Sequence, residues 1–320
     1  MIIGIGGCKT RVSQQQETAP NRETNFIHLA DPAVLYHKNI YYMYGTVERR
    51  SGNGFLVYTS KNLRNWQLSK HTDSGYALKK GDAYGNRNFW APHVFPYGNK
   101  FYMAYVADEN IAIAESENAY GPFIQSNKMP IAAPVKQIDP FIFIDTDDKI
   151  YLYHVRLSNG NRLYVAEMNA DLQSIKEETL RECITAESGW ENTANAEWPV
   201  AEGPSVFKLD DTYYFVYSAN DFRNPDYAVG YATSNSPYGP WKKYEGNPIM
   251  SRQQLGINGP GHGDFFADQR GDWYYVFHTH FSNEKTGPRK TAIMKASIKD
   301  DGNVKNIRFL KESMFYPVAD

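Results

Sequence analysis

The sequence predicts an all-β fold, a single five-bladed β-propeller with four-stranded blades. Three observations carry this expectation. One pattern recurs five times, residues that favour strands are abundant (24 Tyr, 17 Phe and 6 Trp), and helical periodicity is confined to one weak amphipathic stretch, Ala170 to Leu180. The repeated unit is a small or acidic residue, Pro or Gly, an apolar run, a polar turn and an aromatic-rich strand. Its copies are ADPAVLYHKNIYYMYGT from Ala30, WAPHVFPYGNKFYMAYVA from Trp90, IDPFIFIDTDDKIYLYHV from Ile138, EGPSVFKLDDTYYFVYSA from Glu202 and HGDFFADQRGDWYYVFHTH from His262. Pro32, Pro92, Pro140, Pro204 and Gly263 follow one another at steps of 60, 48, 64 and 59 residues. Each step holds a four-stranded blade, and radial repetition of such sheets, typically about 4 to 8 of them, makes a propeller.

The elements of each copy follow from its residues. The apolar run after the Pro or Gly reads as the innermost strand. A polar pair suited to a tight hairpin comes next: Lys38-Asn39, Gly98-Asn99, Asp147-Asp148, Asp210-Asp211 or Gly271-Asp272. The second strand then opens at Tyr41, Phe101, Ile150, Tyr213 or Trp273. FLVYTS, IAIAES, LYVAEM, YAVGYATS and TAIMKAS are the third strands. Asn65-Trp66, Gly121-Pro122-Phe123 and Gly239-Pro240-Trp241 introduce an outer fourth strand. A β-sandwich is the alternative, but it gives no reason for hairpin length, turn polarity and third-strand position to recur together five times.

Closed all-β architectures often reach 320 residues as one unit, so a single domain over residues 26–320 is expected. Residues 1–25 read as a truncated signal or a disordered segment. Ile5-Gly6-Gly7-Cys8 partly matches a bacterial lipoprotein signal, which makes Cys8 a candidate lipid anchor and places the protein outside the cell or in its envelope. The basic start and longer apolar core of such a signal are missing. The second cysteine, Cys183, has no metal-ligand spacing to the first. With 34 basic against 36 acidic residues and no basic run interleaved with aromatics, nucleic acid is excluded as the expected partner. No stretch approaches the roughly 20 apolar residues of a membrane span. Any membrane contact is therefore expected through the anchor alone.

In a propeller the first residues of the innermost strands gather at one mouth of the axis. Reading around the ring, these are Asp31, Ala91, Asp139, Gly203 preceded by Glu202, and His262. For either Asp alone the plainer reading is a turn residue bonded to local backbone. Three carboxyls converging with an imidazole ask for more, because like charges repel unless a function retains them. Inverting glycoside hydrolysis uses such a set: one carboxylate activates water and one carboxylic acid protonates the leaving oxygen, about 6.5 to 9.5 Å away. Asp31 is assigned as general base and Glu202 as general acid. Asp139 is assigned as the neighbouring charge that keeps the acid protonated and oriented. Glu202 stands one residue early in the repeat frame, which should shift it off the axis towards the leaving group. Glu187, Glu191 and Glu197 fall outside the frame.

From ADPAV through WAPHV, IDPF, AEGPSV, Tyr227-Ala228-Val229-Gly230-Tyr231-Ala232 and Ser236-Pro237-Tyr238-Gly239-Pro240-Trp241, the chain after Phe26 resembles family 43 of the glycoside hydrolases. The resemblance implies an inverting enzyme with base, modulating Asp and acid in blades one, three and four, matching Asp31, Asp139 and Glu202. His93 departs from it, since many relatives carry Asp there. The resemblance also implies that His262 reaches a structural calcium ion at the axis, weighed equally against a histidine bonded to backbone, and that Arg289 contacts the sugar. No cofactor is required for the chemistry. Phe89 and Trp90 are candidates for the floor of a sugar subsite, and His93 for a second-blade contact, although core packing is the commoner fate of such aromatics.

The implied substrates are α-L-arabinofuranosides, β-D-xylosides and arabinan chains. Insertions at Asp73 to Asn88 and Ala186 to Trp198 should wall the funnel into a pocket, so a monomeric exo-acting enzyme releasing terminal α-L-arabinofuranose from an oligo- or polysaccharide is expected. A β-D-xylosidase, an endo-arabinanase and a non-catalytic glycan-binding propeller are the alternatives. A retaining invertase-type enzyme would need Asn-Asp-Pro, Arg-Asp-Pro and Glu-Cys motifs, and a phosphorylase a cationic cluster for phosphate. Neither set is present.

Overall fold

The computed structural model describes residues 25–320 apart from 188 and 301–304. Cys8 lies outside the described residues. Five sheets radiate from one axis, each beginning with a strand of the repeat: Ala30–His37, Trp90–Tyr97, Gln137–Ile144, Ala201–Leu209 and Gly261–Ala267. The second strands pair with these antiparallel across the predicted polar turns. Apolar residues on the two faces of each sheet pack against the neighbouring blades, so the core forms as separate wedges between blades. Blade one gains a fifth strand, because Val318–Ala319 lies parallel to Asn65–Leu68. At the same closure Ile27 donates to the Pro317 carbonyl and receives at its own carbonyl the Thr291 N–H, which ties blades one and five.

Each of the five inner strands is bulged at the same place, between Ala30 and Ala33, Trp90 and His93, Ile138 and Phe141, Glu202 and Ser205, and Gly261 and Asp264. The residue within each bulge has a left-handed backbone: Asp31 (φ 49°), Ala91 (44°), Asp139 (55°), Gly203 (60°) and His262 (41°). A bulge bends its strand and re-aims a side chain. Here five of them face the residues of the repeat frame inward at one mouth of the axis.

Three sequence expectations are corrected. Blade two has three strands, not four: Trp90–Tyr97, Lys100–Ala107 and Asn110–Ser116. Gly121-Pro122-Phe123 introduces no outer strand, because Phe123 is fully buried and donates to the Ala77 carbonyl, leaving only a Glu115–Ile124 bridge at that edge. FLVYTS is broken at Val57, whose N–H goes to the Gly75 carbonyl. Gly54–Leu56 pairs with the insertion strand Tyr76–Lys79, and only Tyr58–Ser60 belongs to blade one. Ala170 to Leu180 is not an α-helix. Leu172 has φ 59°, the Met168–Ile175 bridge closes the segment into a tight loop, and Leu172 and Ile175 drop into the core between blades two and three.

Candidate active site

Asp31, Asp139 and Glu202 line one cavity of about 470 Å³ at the mouth of the axis, together with His262, Arg289 and Trp90. The glycine of blade four explains why its carboxyl stands out of frame. A Cβ on Gly203 would meet the His262 ring at 2.8 Å, so the position equivalent to Asp31 and Asp139 admits no side chain. The preceding residue supplies the carboxyl instead. Glu202 borders the cavity, whereas Asp31 and Asp139 line both the cavity and a narrow chamber at the axis.

Asp31 is held on every side. Arg289 Nη1 donates to Oδ1 at 3.0 Å and Thr46 Oγ1 to Oδ2 at 2.7 Å, while His262 and His278 each bring Nδ1 within 3.4 Å of Oδ1. Burial alone would raise its pKa, but Arg289, His262 and His278 outweigh it and hold the carboxyl well below the ordinary range. Arg289 is itself fixed, donating from its backbone N–H and Nε to Glu48 at 2.6 and 2.9 Å. It lies over the Phe222 ring at 4.3 Å, a cation–π contact. His278 Nε2 lies 3.3 Å from Arg289 Nη1, and burial, then the Arg289 charge, push the imidazole down to about 3, so it is neutral.

Glu202 is the opposite case. Tyr227 Oη donates to Oε1 and Asn161 Nδ2 to Oε2, both at 2.9 Å. Burial raises the carboxyl, those two donors oppose it and the Asp31 charge adds to it, leaving the group pushed up to about 7. The Asn161 NH₂ can only donate, whereas the Tyr227 hydroxyl can donate to the ionised acid and accept from the protonated one. Asp139 accepts from the Gly203 N–H at 3.2 Å and is raised well above the ordinary range by burial, then by Glu202 and Asp31. Oxygens of Asp139 and Glu202 and a nitrogen of His262 lie within 4.8 Å of one another. Two carboxyls this close share one proton more readily than they both ionise.

The remaining predicted residues divide. Trp90 borders the cavity. Phe89 does not: it is fully buried, stacked on Tyr105 at 6.1 Å and edge-on to Phe55, so it is core rather than a subsite floor. His93 lies below the cavity in the axial chamber, stacked on Phe141 and accepting the Ile142 N–H. His262 donates its backbone N–H to Ser218 and turns its ring to Asp31 and to Asp139, 3.7 Å away. Arg289 is 6% exposed, not a solvated loop charge. The 73–88 insertion contributes no lining residue. The walls come from Trp198 and from Asp221, Phe222 and Arg223 of blade four. Glu191 is buried against Tyr217 and Lys243, a packing role outside the site.

Calcium takes six to eight oxygen donors. Around the axial chamber the side chains offer the imidazoles of His93 and His262 with the carboxyls of Asp31, Asp139 and Asp264. Asp31 is held by Arg289 and Thr46, Asp139 lies with Glu202, and Asp264 accepts from Ser205 Oγ at 2.8 Å, so three carboxyls and two imidazoles fall short of the oxygen donors required. This donor set does not fit a calcium ion held by protein groups.

Sequence reading missed Thr46, Glu48, Asn161, Trp198, Phe222, Tyr227 as a bonding partner, and His278. For Thr46 and His278 a signal existed: both are polar residues near the end of a buried second strand, opposite the bulge. Asn161 follows Ser158-Asn159-Gly160 and reads only as part of a turn.

A carboxyl raised to about 7 and one held well below the ordinary range on a single cavity are the pair that acid–base glycoside hydrolysis needs. The chain belongs to Glycosyl hydrolases family 43, whose profile matches residues 26–304. A xylosidase/arabinosidase of Bacteroides ovatus is 27% identical over 87% of this chain and 94% of its own length. Among solved structures, an endo-1,4-beta-xylanase from Bacteroides thetaiotaomicron VPI-5482 superposes with a TM-score of 0.85 at 42% identity, covering 92% of this chain and 98% of that one. A thermostable family-43 glycoside hydrolase follows at 0.78 and 36%, covering 88% and 92%.

Proposed function

We propose that the protein is an inverting exo-glycosidase that releases a terminal pentose, α-L-arabinofuranose, from the side chains of plant polysaccharide. The observation that carries this reading is the opposed state of two carboxyls on one cavity, Asp31 held ionised and Glu202 raised to about 7. Asp31 accepts a proton from water while the water oxygen bonds to the anomeric carbon. The glycosidic C–O bond breaks, and the leaving oxygen takes the proton of Glu202. Asp31 ends protonated and Glu202 ionised, and exchange with solvent after product release restores both. Asp139 lies beside the acid with its own carboxyl raised by burial, Glu202 and Asp31, so the pair holds a proton before the step, and Tyr227 and Asn161 stabilise the carboxylate formed after it. Arg289 keeps Asp31 ionised and fixed at the attacking side, and the His262 ring, lowered by burial, packs beside it. The cavity lies in the lower part of the roughly 300–1,000 Å³ typical of small-ligand sites. That size suits one sugar and its linkage better than a long chain.

The names xylosidase/arabinosidase and beta-xylosidase among the relatives favour a second reading, release of β-D-xylose, with the same roles for the same residues. Hydrolysis of aryl α-L-arabinofuranoside and aryl β-D-xyloside, assayed side by side, decides between them. Asp31→Asn and Glu202→Gln should lower turnover of the better substrate by about 10² to 10⁴. Full activity in both variants would rule the assignment out, and glycan binding without turnover in wild type would point to a binding propeller.

A further inference from the structure

Among the described residues five large hydrophobic side chains are exposed, and of these only Trp198, at 48%, lines the cavity. Its indole N–H is turned inward and donates to Asn161 Oδ1 at 2.9 Å. An indole can only donate. Asn161 must therefore present its oxygen to Trp198 and its NH₂ to Glu202, where it donates at 2.9 Å. The exposed indole and the acid are thus the two ends of one hydrogen-bonded chain.

We infer that Trp198 is the platform of a leaving-group subsite for a sugar ring, and a positioning residue that fixes Glu202 through Asn161. The inference rests on the glycosidase reading of the site. The ring to be released lies between Asp31 and Glu202, and the oxygen that receives the proton lies at Glu202. The ring beyond that oxygen then passes over Asn161 and Trp198, which are bonded in turn to the acid and line the same cavity. A flat apolar indole matches the C–H face of a sugar. It offers nothing to a small alcohol. The leaving group selected by this site is accordingly a saccharide, as in a polysaccharide chain bearing a terminal pentose.

The test compares wild type, Trp198→Ala and Trp198→Phe on two substrates with the same pentose: an oligosaccharide, and the pentosyl fluoride, whose leaving group has no ring. For Trp198→Ala, kcat/KM should fall at least about tenfold more on the oligosaccharide than on the fluoride. Trp198→Phe keeps a flat face but frees the Asn161 amide, so it should retain more of the oligosaccharide KM. Weakening the Asn161 donor removes support from the Glu202 carboxylate, so the alkaline limb of its pH profile should rise by about half a unit. An equal fall on both substrates, or an unchanged oligosaccharide rate, overturns the subsite while leaving the glycosidase reading intact. Wild-type protein that turns over neither substrate overturns that reading and the subsite with it.

Discussion

Replacing Tyr227 by Phe removes one hydroxyl and keeps the ring that stacks on His278 at 5.6 Å. That hydroxyl donates to Glu202 Oε1, and a hydrogen bond to a charged group contributes roughly 1.5–3 kcal/mol. At 1.36 kcal/mol per pKa unit, its loss raises the acid by about one to two units from its position near 7. The sign is fixed by the protonation state the reaction needs. The acid acts protonated, so activity is lost as pH rises through its pKa, and raising that pKa moves the alkaline limb of kcat/KM upward by the same one to two units. The carboxylate formed on proton donation loses the same support, so the maximal rate should fall roughly tenfold to a hundredfold. The assay is a pH–rate profile on an unactivated oligosaccharide, where protonation of the leaving group matters most. A limb that stays in place or moves down would show that Tyr227 does not stabilise the Glu202 carboxylate, and the pairing of acid and phenol would have to be abandoned.

Three further outcomes are expected. Asp139→Asn removes the repulsion between the paired carboxyls, so the alkaline limb should move to lower pH, and an upward shift in the same profile would contradict the role of Asp139. Glu202→Gln removes a carboxyl whose folded pKa lies above its unfolded value near 4.5, so wild type loses stability relative to the variant as pH rises between those values. Thermal melts at pH 5 and pH 8 should show the variant gaining up to about 3 kcal/mol on wild type at the higher pH, and a gain that shrinks with pH would disprove the elevated pKa. Phe89→Ala should cost about 3–5 kcal/mol of stability while leaving KM near the wild-type value, as expected of a core aromatic; a raised KM in a stable variant would return Phe89 to the cavity.

The five inner hairpins were legible because each repeats the same chemistry: a residue able to enter a bulge, an apolar run and a polar turn. Asp31, Asp139 and Glu202 were legible for the same reason, since a propeller converts equal places in a repeat into neighbours in space. What failed was set by long-range competition. Phe89 carries no local mark separating a core aromatic from a sugar platform, and its fate is decided by Phe55 and Tyr105. The missing outer strand of blade two follows from Ala77, some 46 residues before Phe123, capturing that residue's N–H. The partners of the acid, Asn161, Tyr227 and Trp198, come from the first residue of one third strand, the residue before another, and an insertion, outside the repeat frame that made the carboxyls visible.

The anomer first released from the substrate tests the assignment of Asp31 to water and Glu202 to the leaving oxygen more directly than any variant. Proton NMR of the first turnovers, taken before mutarotation, should show the product sugar with the configuration opposite to that of the bond cleaved. A product that appears first with the configuration of the substrate would mean that a side chain, not water, attacks the sugar, and the roles given to the two carboxyls would be wrong.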